Sequence, residues 1–261
     1  MRHLLKRHPL PIRAHFDFVL VLTYALPAAA LRPALNPGLE LDAWEDHVSG
    51  DELGFVAVAL VQTRHLRPSF LPAALGRSFF LCGYRIFTRY TTLAGRRLRG
   101  LQILRSDADG RAMVWAGNLL THYRYHLAEV AIDRAEERVE VAVTSRDGGG
   151  DLAIRADLGA PEGVLPPGSP FTEERDARRF VGPMPFTFDY EAETHSILRV
   201  EGVRPEWRPR LVPVEVGEVS FFDHRSFGNQ LPRLASAFWL EDVDYRWRRG
   251  VREPLASRAD P

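Results

Sequence analysis

The stretch GNLLTHYRYHLAEV, residues 117 to 130, places His122 and His126 four residues apart with Arg124 between them, in an otherwise apolar and aromatic run. Such a trio can ligate a metal, move a proton near the ordinary histidine pKa of about 6.5, or hold an anion. Thr121, Tyr123 and Tyr125 favour a strand over 119 to 132. That strand turns His122, Arg124 and His126 to one side, with the two histidines about 7 Å apart. On a helix, the histidines and Glu129 would instead make an i, i+4, i+7 face of metal-binding type. Arg124 opposes metal, because a fixed cation raises the cost of adding a divalent ion. Structural or solvent-facing histidines rank first, anion contacts second and metal third.

A second segment, FFLCGYRIFTRYTT, alternates cleanly. Phe80, Cys82, Tyr84, Ile86 and Tyr90 share one face, and Arg85, Phe87, Arg89 and Thr91 the other. Two arginines on a strand face usually meet solvent. Should that face line a cavity, they become a carboxylate or phosphate clamp. Arg97, Arg99 and Arg105 are expected on the outside. The acidic groups at 173–176, 189–193 and 241–244 read as solvated faces or partners of arginines, and none is assigned as an acid or base. No nucleophile elbow, Walker loop or dinucleotide fingerprint occurs.

The elements that must position these residues are mostly strands. The chain has 261 residues, 45% hydrophobic and 26% charged, enough for a large core. Its 34 basic and 34 acidic side chains supply no net field for nucleic acid or an anionic membrane. Only Lys6 among the basic residues is a lysine, as a base-compositional bias would produce, and arginine cannot form a Schiff base. The lone cysteine, Cys82, excludes an intrachain disulfide and reads as a buried, inert thiol. No signal peptide or membrane span is read, so a cytoplasmic protein is expected.

Val, Ile, Phe and Tyr runs broken by Gly, Pro and Asp predict strands at 16–24, 54–64, 79–91, 97–105, 119–132, 195–203 and 212–222. A hairpin pairs Val139, Val141 and Val143 with Leu152, Ile154 and Ala156 across the glycines at 148–150. Short helices are expected at 27–35, at 106–118 with Ser106 and Asp107 as caps, and at 173–180. Residues 159–171 read as a long Pro/Gly loop within a single domain, and 251–261 as a frayed tail.

The phrases PLPIRAHFDFVLVLTYALP, LRPALNPGLELD, GFVAVALVQTRHLRP, GYRIFTRY, GNLLTHYRYH and LASAFWLEDVDYRW together resemble the uncharacterised YqjF-like family, over about residues 9 to 250. The resemblance implies the acetoacetate decarboxylase-like fold: a mainly β, large antiparallel β-barrel-like domain with a central cavity. Decarboxylases of that fold use a lysine Schiff base in a Gly-x-Pro-Lys-Lys context. Laid on this chain, that context sets Thr121 near the glycine, Tyr123 near the proline, and Arg124 and Tyr125 near the lysines, so the nucleophile is missing. Their pocket acid, in a Tyr-x-Glu, is absent from Tyr84, Arg85 and Ile86.

The resulting expectation is a cavity protein that binds a small organic anion without Schiff-base decarboxylation, with no cofactor and no bound metal. His122, Arg124 and His126 lead as ligand contacts, with Tyr84, Arg85, Arg89 and Asn118 behind them. An enzymatic version would use a histidine as acid or base while Arg124 holds a carboxylate. The alternative is a non-catalytic carrier or a homo-oligomer that buries Phe221, Phe222, Phe238, Trp239 and Trp247 against another copy. Those aromatics are more commonly core.

Overall fold

The computed structural model describes residues 2–47, 49–161, 163–224, 227 and 231–255. Among them, fifteen strands run in chain order as β1 (Ile12–Pro27), β2 (Leu39–Leu41), β3 (Trp44–Glu45), β4 (Glu52–Pro68), β5 (Arg77–Thr91), β6 (Arg97–Ala108), β7 (Tyr125–Ala135) and β8 (Arg138–Ser145). They continue as β9 (Leu152–Asp157), β10 (Phe186–Glu191), β11 (Ser196–Val203), β12 (Arg210–Leu211), β13 (Val214–Val219), β14 (Arg233–Trp247) and β15 (Val251–Pro254). Five short helices join them: α1 (Arg2–Leu5), α2 (Ala28–Leu31), α3 (Arg111–Leu120), α4 (Glu174–Val181) and α5 (Phe221–His224).

Pairing returns on itself. Strand β6 pairs with both β10 and β5, so β6, β10, β11, β14, β1, β4 and β5 form a ring of seven. The pairs are antiparallel except β6 with β10 and β6 with β7, which are parallel. Strands β1 and β4 of this ring are buried on both faces along their middles, which is why they read as the near-continuous runs FVLVL and FVAVALV. On one face Leu20, Leu22, Val58, Leu60, Phe80 and Tyr84 pack against the β7, β8, β9, β13 layer, through Val139, Val141, Val143, Leu152 and Ile154. Each such fully buried side chain contributes about 1.5–3 kcal/mol. The opposite face of the ring presents Val19, Val21, Ala59, Val61, Arg85 and Phe87 to a cavity.

Helix α4 closes one end of the ring, where Ala177, Val181 and Met184 pack with Phe55, Phe87 and Phe238. The other end is covered by α3 and the segment after α1. That segment is pinned where the His8 N–H donates to the Leu120 carbonyl and the Gly250 N–H donates to the His8 carbonyl.

Several expectations are corrected. Residues 119–132 do not form one strand: α3 runs through Leu120, an irregular turn follows, and β7 starts at Tyr125. Ser106 and Asp107 cap no helix, because β6 continues to Ala108 through its pairing with β5, and α3 begins after Gly110. The tail is ordered through Pro254, since Val251–Pro254 pairs with Ser196–Arg199; residues 256–261 lie outside the described ones. Strand β13 stops at Val219, and Phe221 and Phe222 sit in α5. The 138–157 hairpin has the expected pairs, Val139 with Ala156, Val141 with Ile154 and Val143 with Leu152. Among the C-terminal aromatics, Phe221, Phe238 and Trp239 are core.

Candidate functional site

The cavity inside the ring has a volume of about 250 Å³ and is lined chiefly by apolar side chains of β1, β4, β5, β6 and β14. An apolar cavity of about 150 Å³ accepts benzene. This one therefore has room for a small organic molecule.

Arg85 is its central polar feature. Strand alternation sends Cys82, Tyr84 and Ile86 into the packed layer and Arg85 and Phe87 into the cavity. Gly83 leaves space for the guanidinium: a Cβ there would stand 3.1 Å from Nη2 and 3.2 Å from Nε. Arg85 Nε is buried without a hydrogen-bond partner among the described residues. Its charge acts on Tyr123, Tyr125 and Tyr245, which also line the cavity; burial raises all three hydroxyl pKa values, that of Tyr125 to about 12. These phenols are neutral donors. They do not neutralise the arginine.

The GNLLTHYRYH stretch builds one wall of this cavity. Gly117 lets α3 approach the ring of Tyr125, since a Cβ there would collide with it. Asn118 then clamps the same residue: its Nδ2 donates to the Tyr125 carbonyl and the Tyr125 N–H donates to its Oδ1, both at 2.8 Å. The Thr121 hydroxyl closes α3 on the Gly117 carbonyl at 2.8 Å and accepts the Tyr123 N–H at 3.2 Å. Tyr123 and Tyr125 thereby enter the cavity, while Arg124, in the left-handed region at φ +53°, stays exposed.

The histidine trio is not brought together at the cavity, and none of its members lines it. His122 sits behind the wall beside Lys6, where burial lowers its pKa. His126 lies 3.5 Å from Asp147, beside a buried Arg105 that grips both oxygens of Asp107 at 2.7 Å. Arg105 is thus interior rather than on the outside. Tyr84 belongs to the packed layer, stacked on Phe221 with its hydroxyl donating to the Gly150 carbonyl at 3.2 Å. Arg89 and Arg99 both bind the fully buried Asp42, at 2.5 and 2.6 Å, so Arg89 is a structural cation. Of the seven expected residues, Arg85 enters the cavity and Asn118 positions a residue that does.

His8 lines the cavity and lies in the basic stretch MRHLLKRHPLP, where no sequence pattern singles it out. It is 9% exposed, packs its ring 4.9 Å from that of Tyr123, and has φ +50°. Burial and the nearby His122 lower its pKa to about 4, so it is a neutral imidazole at pH 7. His8 stands just before Pro9 and outside any alternating run, so nothing in the local pattern marks it. Arg204, whose guanidinium donates to the Pro183 carbonyl at 3.0 Å and covers the Trp207 ring, stands at the same cavity. The cavity contains no lysine. Cys82 lies in the packed layer with its thiol pKa raised to about 12 by burial.

The chain has the acetoacetate decarboxylase-like fold, as its similarity to solved structures shows. The chain resembles an acetoacetate decarboxylase-like enzyme from Sphingomonas wittichii RW1 at TM-score 0.56 and 14% identity, over 97% of this chain and 94% of that one. It resembles acetoacetate decarboxylase from Legionella pneumophila at TM-score 0.59 and 12% identity, over 97% and 90%. The enduracididine biosynthesis enzyme MppR, solved with pyruvate, gives TM-score 0.59 and 12% identity, over 94% and 90%. Among curated proteins none matches. Residues 13–239 match the family model DUF2071, described as an uncharacterized conserved protein, and the chain belongs to that YqjF-like family.

Proposed function

We propose that the seven-strand ring serves as a barrel-like container for a small organic anion, a carboxylate first of all, held by Arg85 without a covalent imine. The observation that carries this reading is an arginine with a buried, unpartnered Nε in a chiefly apolar cavity. A buried guanidinium N–H left without an acceptor costs about 1–3 kcal/mol, which an anion pairing with it would offset. A carboxylate matches its planar fork and takes two parallel hydrogen bonds. Two of the surrounding phenols, Tyr125 and Tyr245, can donate to the same ligand. The fold supports the reading by analogy, since MppR of this fold was solved with pyruvate.

An imine has no site in this account, because the chain's only lysine, Lys6, does not line the cavity. Calorimetric titration with pyruvate and a panel of short alkanoates and aromatic acids tests the proposal. Binding by the wild type, weakened about 30-fold in Arg85→Met and accompanied by no borohydride-trapped adduct, is expected. Equal affinity in the variant, or a trapped adduct, contradicts it.

A further inference from the structure

Resting on that anion-binding reading, we infer that His8 and Tyr123 form a second polar pole of the cavity, which selects a carboxylate that also carries a hydroxyl group. Both side chains are more than nine-tenths buried, both line the cavity, and their rings are 4.9 Å apart. His8 Nε2 has no hydrogen-bond partner among the described residues, and Tyr123 Oη has none of normal geometry, with the Thr187 side chain beside it. Buried polar atoms are ordinarily satisfied, and two orphans on neighbouring cavity-lining residues are what a ligand group would complete.

The backbone supports a selected rather than incidental placement of His8. Its φ of +50° lies in a region that non-glycine residues rarely occupy. It is held there by hydrogen bonds on both sides, from its N–H to Leu120 and to its carbonyl from Gly250. Strain over-determined by its surroundings is characteristic of functional positions.

The chemistry of the two atoms narrows the group. With its proton on Nδ1, His8 offers a lone pair at Nε2, and the Tyr123 phenol offers a hydrogen. A hydroxyl answers both at once, as a donor and an acceptor. A ketone only accepts and leaves the imidazole lone pair unpaired. A plain alkyl chain leaves both unpaired. Sites that hydrogen-bond a hydroxyl reject the analogue lacking it, because their own polar groups are stranded.

The test compares plain carboxylic acids with their alpha-, beta- and gamma-hydroxy derivatives by calorimetry, on wild type, His8→Asn and Tyr123→Phe. Asparagine tolerates the left-handed backbone at position 8, and phenylalanine removes only the hydroxyl. At least one hydroxy isomer should bind the wild type about tenfold more tightly than its parent acid, with that gain lost in both variants while the parent acid's affinity holds. Parent acids that bind as well as every hydroxy isomer, or a gain that survives both substitutions, overturn the inference and leave the anion reading standing. Failure of all the acids to bind overturns both.

Discussion

Arg85 separates two accounts of the cavity by the sign of a stability change. As the seat of an anion it is a cost to the empty protein, so Arg85→Met should stabilise the unliganded fold by about 1 kcal/mol while weakening carboxylate binding. As a structural cation, like Arg89 on Asp42, it would destabilise the fold on removal. Denaturant titration without ligand reads that sign. His8 and Asp189 make opposite pH-dependent contributions. The folded pKa of His8, about 4, lies below its ordinary 6.5, so its contribution is complete above 6.5 and lost as pH falls toward 4. Burial raises Asp189 from 3.8 to about 7, so its penalty is absent at low pH and grows as pH rises through that interval. The His8 shift is worth about 3 kcal/mol and the Asp189 shift about 4 kcal/mol. Between pH 4 and 6.5 the two slopes oppose. Asp189→Asn should therefore make stability climb more steeply with pH, and His8→Asn should make it climb less or fall; equal slopes in both variants would contradict these assignments.

At the scale of elements, the wall from 117 to 125 shows what a sequence displays and what it hides. Residue types at 119–132 matched a strand, yet α3 extends to Leu120 because Gly117 and Asn118 dock the helix end onto Tyr125. That docking is a tertiary contact and leaves no trace in periodicity. The turn at 121–124 then sends the tyrosines inward and leaves the histidine trio behind the wall. Strand β5 was legible because its alternation survives in the structure, with one face packed and Arg85 on the other. The hairpin of β8 and β9 was legible for the same reason. Strand β14 carries no such alternation, since Trp239 and Leu240 are buried on successive positions, and its acidic residues Glu241, Asp242 and Asp244 break the apolar run that marks β1 and β4. Asn118→Ala removes both hydrogen bonds that seat Tyr125 and should cost about 1–3 kcal/mol. It should also weaken acid binding without touching the ligand. A variant as stable as wild type with unchanged affinity would show that the clamp does not position the wall.

For the whole molecule, closure of seven strands explains how a chain with so many sheet edges protects them, and why a cavity remains at the centre. The phrases that resembled the YqjF-like family pointed to this fold, whereas the cavity's contents came from its geometry. The central claim is that Arg85 receives an anion inside the ring. A crystal structure of the protein soaked with pyruvate or a short alkanoate tests it most directly. The account predicts carboxylate density in the cavity, within hydrogen-bonding distance of the Arg85 guanidinium. Density seated instead on His122, Arg124 or His126, with the cavity left to water, would contradict it.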